Sequence, residues 1–93
     1  MPPPLTLYLV QRLGAAQWSD ESISYAAEKA IKEIALSPSS IIFYEPYNIK
    51  RRDDGGVLVK GKGEFQNAYG GLEMKNFTVL FSKDGTPNAH IGI

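Results

Sequence analysis

Residues 36–81 read LSPSSIIFYEPYNIKRRDDGGVLVKGKGEFQNAYGGLEMKNFTVLF, and this stretch decides the fold. It holds a helix stop, a hairpin turn and two further runs of alternating apolar residues. Pro38 lacks an amide proton and pushes Ser37 out of helical geometry, so a helix before it must end. Ile41 to Arg52 then reads as a strand, with Ile41, Phe43, Tyr47 and Ile49 on one parity and Glu45 as the exception. Pro46 cannot donate to a sheet ladder, which puts this strand at an edge or gives it a bulge. Asp53-Asp54-Gly55-Gly56 fits a three-residue hairpin loop with Gly55 left-handed and a bulge at Gly56. That loop sets Ile49 opposite Val59 and Arg51 opposite Val57. A two-residue loop would set Ile49 opposite Lys60, so apolar matching selects the longer form.

Val57 to Gln66 is the next expected strand. Val57, Val59 and Phe65 share a face with Gly61 and Gly63, while Lys60, Lys62 and Glu64 point the other way. Two glycines on an inner face call for something bulky above them, either a helix or an aromatic ring. Asn67 to Gly71 is a turn, because Asn and Gly tolerate positive φ. Leu72 to Phe81 returns as a third strand. Phe77, Val79 and Phe81 share one parity and Leu72 and Met74 the other, which predicts a bulge near Lys75-Asn76. Lys83 to Pro87 is another turn, and Ala89-His90-Ile91 forms a short last strand.

Upstream, Asp20 to Leu36 reads as an amphipathic helix. Ile23, Ala27, Ala30, Ile31 and Ile34 recur at intervals of three and four, Ser19 or Asp20 supplies the N-cap, and Glu28 and Lys32 are spaced for an i,i+4 ion pair. Residues 5–10, LTLYLV, fit a strand, while Leu5, Leu9, Leu13 and Ala16 also fit helical spacing. Both readings stand. Residues 1–4 form a proline-rich leader, without the basic start and longer apolar core of a secretion signal. No stretch approaches the ~20 apolar residues of a membrane span.

The chain has 93 residues, 43% hydrophobic and 11% aromatic, which suits one small globular domain over residues 1–93 rather than a disordered segment. Ten basic and ten acidic residues cancel. No global field draws in nucleic acid or an anionic membrane, and low net charge makes a homodimer plausible. Cysteine is absent, which excludes disulfides, thiolate metal sites and a Cys nucleophile and points to the cytoplasm.

The LSPSS segment followed by an aromatic, the spacing Val59-x-Gly61-x-Gly63, then QNAYGG and NFTV, resembles a short bacterial and prophage domain. Its pattern runs roughly L-x-x-P-S-S-A-x-F, V-x-G-x-V, N-S-F-G and F-x-C/V. The resemblance covers residues 36–81. Ile41 and Ile42 stand where that pattern has Ala, and the zinc ligands of some of its members have no counterpart here. It implies a helix packed on a small antiparallel sheet, and it implies no catalytic residues. Pro38, Ser39, Ser40, Asn67, Tyr69 and Gly70 at the matching positions are turn and packing residues.

Chemistry is thinly marked. His90 is the sole histidine and lacks a second ligand at metal-binding spacing. Ser82, Asp84 and His90 contain the residue types of a hydrolytic triad without a nucleophile elbow. Gly61-Lys62-Gly63 lacks the spacing and the following helix of a phosphate loop. Lys50, Arg51 and Arg52 are the densest basic run, with Lys60 and Lys62 on the adjoining strand and Tyr44 and Tyr47 near enough to stack. The alternative is a solvated hairpin neutralised by Asp53 and Asp54. Surplus aromatics, Tyr69 among them, mark contact surfaces or fill a thin core.

The expected architecture is α+β, one main helix on an antiparallel meander of three to five strands. The expected function is a non-enzymatic protein-binding module or self-associating accessory domain, without cofactor, metal or membrane. Its expected contacts are Tyr44, Tyr47, Lys50, Arg51, Arg52, Lys60, Lys62 and Tyr69. Two alternatives are a phage-type inhibitor of a host nucleic-acid-handling or defence complex, and a weak nucleic-acid binder acting through the basic hairpin.

Overall fold

The computed structural model describes residues 14–92. The expectations for the proline leader and for residues 5–13 lie outside them. Helix α1 spans Asp20–Ile34, and the Ser19 hydroxyl caps it by accepting from the Ser22 amide at 3.1 Å. Asp20 and Glu21 sit in its first turn, where the helix dipole favours negative charge. Ile23, Ala27, Ala30 and Ile31 are buried as one face. The helix stops two residues before Leu36, because Ala35 is already extended. Ile34, expected on the buried face, is 51% exposed because it ends the helix beyond the covered part of the sheet.

Four strands follow as an antiparallel meander, β1 (Ile42–Arg51), β2 (Val57–Gln66), β3 (Leu72–Phe81) and β4 (Pro87–Ile91), hydrogen-bonded in that order. The fold is therefore α+β, as the sequence indicated. The first hairpin has the three-residue loop, with Ile49 paired to Val59, Arg51 to Val57 and Gly55 at φ 89°. The Gly56 amide donates to the Asp54 carboxylate at 2.9 Å, which holds that acid below its ordinary range.

β2 and β3 pair without interruption from Val57–Phe81 to Gln66–Leu72. The bulge expected near Lys75-Asn76 does not exist. Leu72 and Met74 differ in parity from Phe77 because they lie on the other face of a regular strand. Glu73 and Lys75 take the helix-side positions beyond the helix end and form an ion pair at 3.7 Å. β4 pairs only with Phe77–Phe81. Among the described residues, no strand flanks Leu72–Lys75 on that side.

The core lies between α1 and one face of the sheet, where Val57, Val59, Phe77, Val79 and Phe81 are buried. Phe77 packs edge-on against Phe43, Tyr47 and Phe65, with ring centroids 5.4–6.5 Å apart. Gly61 makes room for this cluster. A Cβ there would stand 2.5 Å from the Phe77 ring and 2.8 Å from the Tyr47 ring. The bulky cover expected over the strand glycines is thus aromatic.

The β1 bulge falls between Tyr44 and Asn48, at Glu45, Pro46 and Tyr47, where β1 passes Gly61. The Glu45–Pro46 peptide bond is cis. Tyr47, on the same parity as Phe43 and Ile49, faces the core, where its hydroxyl donates to the Glu28 carboxylate at 2.7 Å. Glu28 is therefore engaged across the core rather than with Lys32. The Lys32 ammonium instead sits 6.0 Å from the centre of the Phe43 ring.

Two predictions follow from this packing. Gly61→Ala is expected to destabilise the fold by about 1–3 kcal/mol, since two rings must move to admit one methyl group. Thermal unfolding should show a Tm drop of at least about 4 °C. Burial first, and then the bond to Glu28, push the Tyr47 phenol above its ordinary value of 10.0. In the unfolded chain the phenol ionises near that value, while in the folded chain it stays protonated. Its contribution is complete below that pH and is lost progressively as pH climbs from there toward the raised value of the folded chain. Tyr47→Phe should cost about 1–2 kcal/mol at neutral pH and flatten the alkaline fall in stability, read by urea unfolding across the alkaline range.

Candidate binding surface

Strand alternation divides the sheet into a helix-side face and an open face, and paired residues share a face. Three cross-strand rows on the open face follow from the register. Ile42, Glu64 and Met74 form one, Tyr44, Lys62 and Asn76 the next, and Asn48, Lys60, Thr78 and His90 the third. A fourth row of Lys50, Leu58, Leu80 and Asn88 lies nearest the first hairpin. Among the described residues, no helix or strand lies across these rows.

The β1 bulge leaves a depression of about 570 Å³ in the open face, lined by Tyr44, Pro46, Asn48, Lys60, Lys62 and Asn76 among others. Tyr44 borders it and leans diagonally away toward the Ile42–Glu64 row, its hydroxyl donating to Glu64 at 2.6 Å. That bond raises the phenol above its ordinary range and fixes the ring at the rim. Lys60 and Lys62 project from the second strand of the meander, both exposed. The ion pairs among the described residues engage Arg51, Arg52 and Lys75 and leave both lysines out. Aliphatic groups flank the lysines at either end, with Met74 58% and Leu72 51% exposed at one and Leu80 paired with Leu58 at the other.

Of the expected contacts, Tyr44, Lys50, Lys60 and Lys62 come together on this face. Tyr47 and Arg51 do not. Tyr47 is 8% exposed on the helix side. Arg51 shares that side and clamps the segment leading into α1. Its Nε donates to the Ala16 carbonyl at 3.0 Å, and one terminal nitrogen reaches the Trp18 carbonyl at 2.9 Å and Asp20 at 2.6 Å. Neighbours in a strand face opposite ways, so Lys50 and Arg51 could not serve one surface. Arg52 ends at the hairpin, 3.3 Å from Asp54. Tyr69 is 98% exposed at the tip of the β2–β3 turn, away from the lysines.

The aliphatic positions, Ile42, Leu72, Met74 and Leu80, were not singled out in the sequence. The signal was present in the parity of Leu72 and Met74, misassigned to a bulge. His90 sits on the open face opposite Thr78, while the Ser82 hydroxyl donates to Asp84 within the β3–β4 turn. Among the described residues, no group of three or more His, Asp or Glu converges as a metal site, and no helix is long and apolar enough to cross a membrane. Comparisons with protein-family models, curated proteins and solved structures returned no match.

The two neighbouring arginines should separate experimentally. Arg51→Ala removes donors from two carbonyls, and its partly exposed ion pair adds little. The expected loss is about 1–2 kcal/mol. Arg52→Ala should stay within about 0.5 kcal/mol of the parent. Chemical denaturation of both variants is the check.

Proposed function

We propose that this protein is a non-enzymatic binding module that engages a protein partner through the open face of its sheet. The observation that carries this reading is the aliphatic content of that face. An antiparallel sheet with one wet side normally alternates apolar-in and polar-out, and here Ile42, Leu72, Met74 and Leu80 are exposed on the outer side. Exposed apolar groups gathered with polar neighbours are the mark of an interaction surface. The four strands also form a stiff platform, with the aromatic cluster fixing it from behind.

Site-specific photocrosslinking in the cells of origin tests the proposal. A benzophenone side chain in place of Met74 should yield a discrete adduct with one protein, and Leu80→Lys should abolish it. The same group at Lys29, on the outer side of α1, should yield none. Equal adduct patterns from the two positions would show that the open face has no special part in binding.

A further inference from the structure

We infer that the open face takes an acidic segment of its partner, carboxylates seated on Lys60 and Lys62 and apolar side chains on the two aliphatic ends. This rests on the reading of that face as a protein contact surface, and it adds the chemistry of what binds there.

Charge carries the argument. The open face presents Lys50, Lys60 and Lys62 against Glu64, whose carboxylate already accepts from Tyr44, and Glu45, which lies in the β1 bulge at the outer edge of the depression. The two central lysines alternate along β2, so their stems rise about 7 Å apart on one side of the sheet. Bonded strands on both flanks hold that spacing. A carboxylate brought to the depression would meet ammonium groups not already committed to an ion pair among the described residues. Asn48 and Asn76 supply amide donors beside them.

The same charges argue against a second copy docked face to face, which would set three lysines against three with two glutamates per copy to offset them, one of them already bonded to Tyr44. A phosphodiester strand would satisfy the lysines but leave Met74, Leu72, Leu58 and Leu80 without apolar cover. Single-strand binders also stack successive bases on several aromatic rings, whereas the four rows hold only Tyr44 and the His90 imidazole, on opposite edge strands. A polypeptide supplies both chemistries.

Spacing defines the segment further. Met74 and Leu80 stand six residues apart on β3, about 20 Å, and Lys62 and Lys60 lie opposite Asn76 and Thr78 between them. The complementary order is apolar, acidic, acidic, apolar. About seven residues cover that length as a strand and about fourteen as a helix.

The test is selection of displayed random peptides, about 16 residues long so that either conformation spans the face, on the immobilised full chain. Selected sequences should be enriched in Asp and Glu between aliphatic residues. A synthetic peptide of that kind should bind at least about tenfold more weakly to the Lys60→Glu, Lys62→Glu double variant. Exchanging the peptide's acids for lysines should restore binding to that variant, whose fold is checked by circular dichroism and Tm. Peptides without acidic bias that bind both proteins equally would overturn the inference. If those peptides were still lost on Leu80→Lys, the contact-surface reading would survive without it. Failure to enrich any sequence would also overturn it. So would a fifteen-nucleotide oligothymidine that binds at low salt more tightly than any selected peptide and is released by the double variant, which would make the face a nucleic-acid platform.

Discussion

The ring of Phe77 lies against Gly61 in space that any other residue would occupy with its own side chain. That close approach is the constraint on which the rest of the structure depends. It lets four aromatic rings interlock beneath α1, at the point where β1 bulges past β2. Three residues of β1 pass one residue of β2, Tyr47 drops into the core, and the outer surface is left with a hollow. The core packing and the candidate site are therefore two sides of one accommodation. A larger residue at position 61 would disturb both.

Much of this architecture was legible because turn chemistry and alternation are local. The Asp-Asp-Gly-Gly turn and the matching of Ile49 with Val59 fixed the first register. The glycines on the inner parity of β2 announced a bulky cover, helix or aromatic ring, and Pro46 announced an edge strand or a bulge, both of which β1 has. What failed depended on where the helix ends. A change of apolar parity along β3 has two physical meanings, a bulge or a strand with apolar groups on both faces. Only the reach of α1 distinguishes them. The same limit exposed Ile34 and left Glu73 and Lys75 facing each other past the end of the cover.

The candidate site was half legible. Lys60, Lys62, Lys50 and Tyr44 were named from the basic run and its neighbours, and they do gather. Arg51 and Tyr47 were drawn in by proximity in sequence, although the pairing of Arg51 with Val57 already assigned it to the core side. Arg51 instead ties the 3₁₀ turn Ala15–Gln17 to the sheet, where the Ala15 and Ala16 amides donate to the Lys83 carbonyl in the third hairpin turn and the Gly55 carbonyl in the first. A cationic side chain can thus be an architectural tie in one position and a surface charge in the next.

The short fourth strand has a separate consequence. Among the described residues, it leaves part of β3, from Leu72 to Lys75, with no strand paired on that side, beside two exposed aliphatic side chains. Such a rim is a template for uncontrolled stacking of one chain on another into fibrils. Two opposite charges, Glu73 and Lys75, occupy the helix side of that rim. Any strand adding there in register would have to accommodate buried charge, which guards the molecule against polymerising along its own sheet.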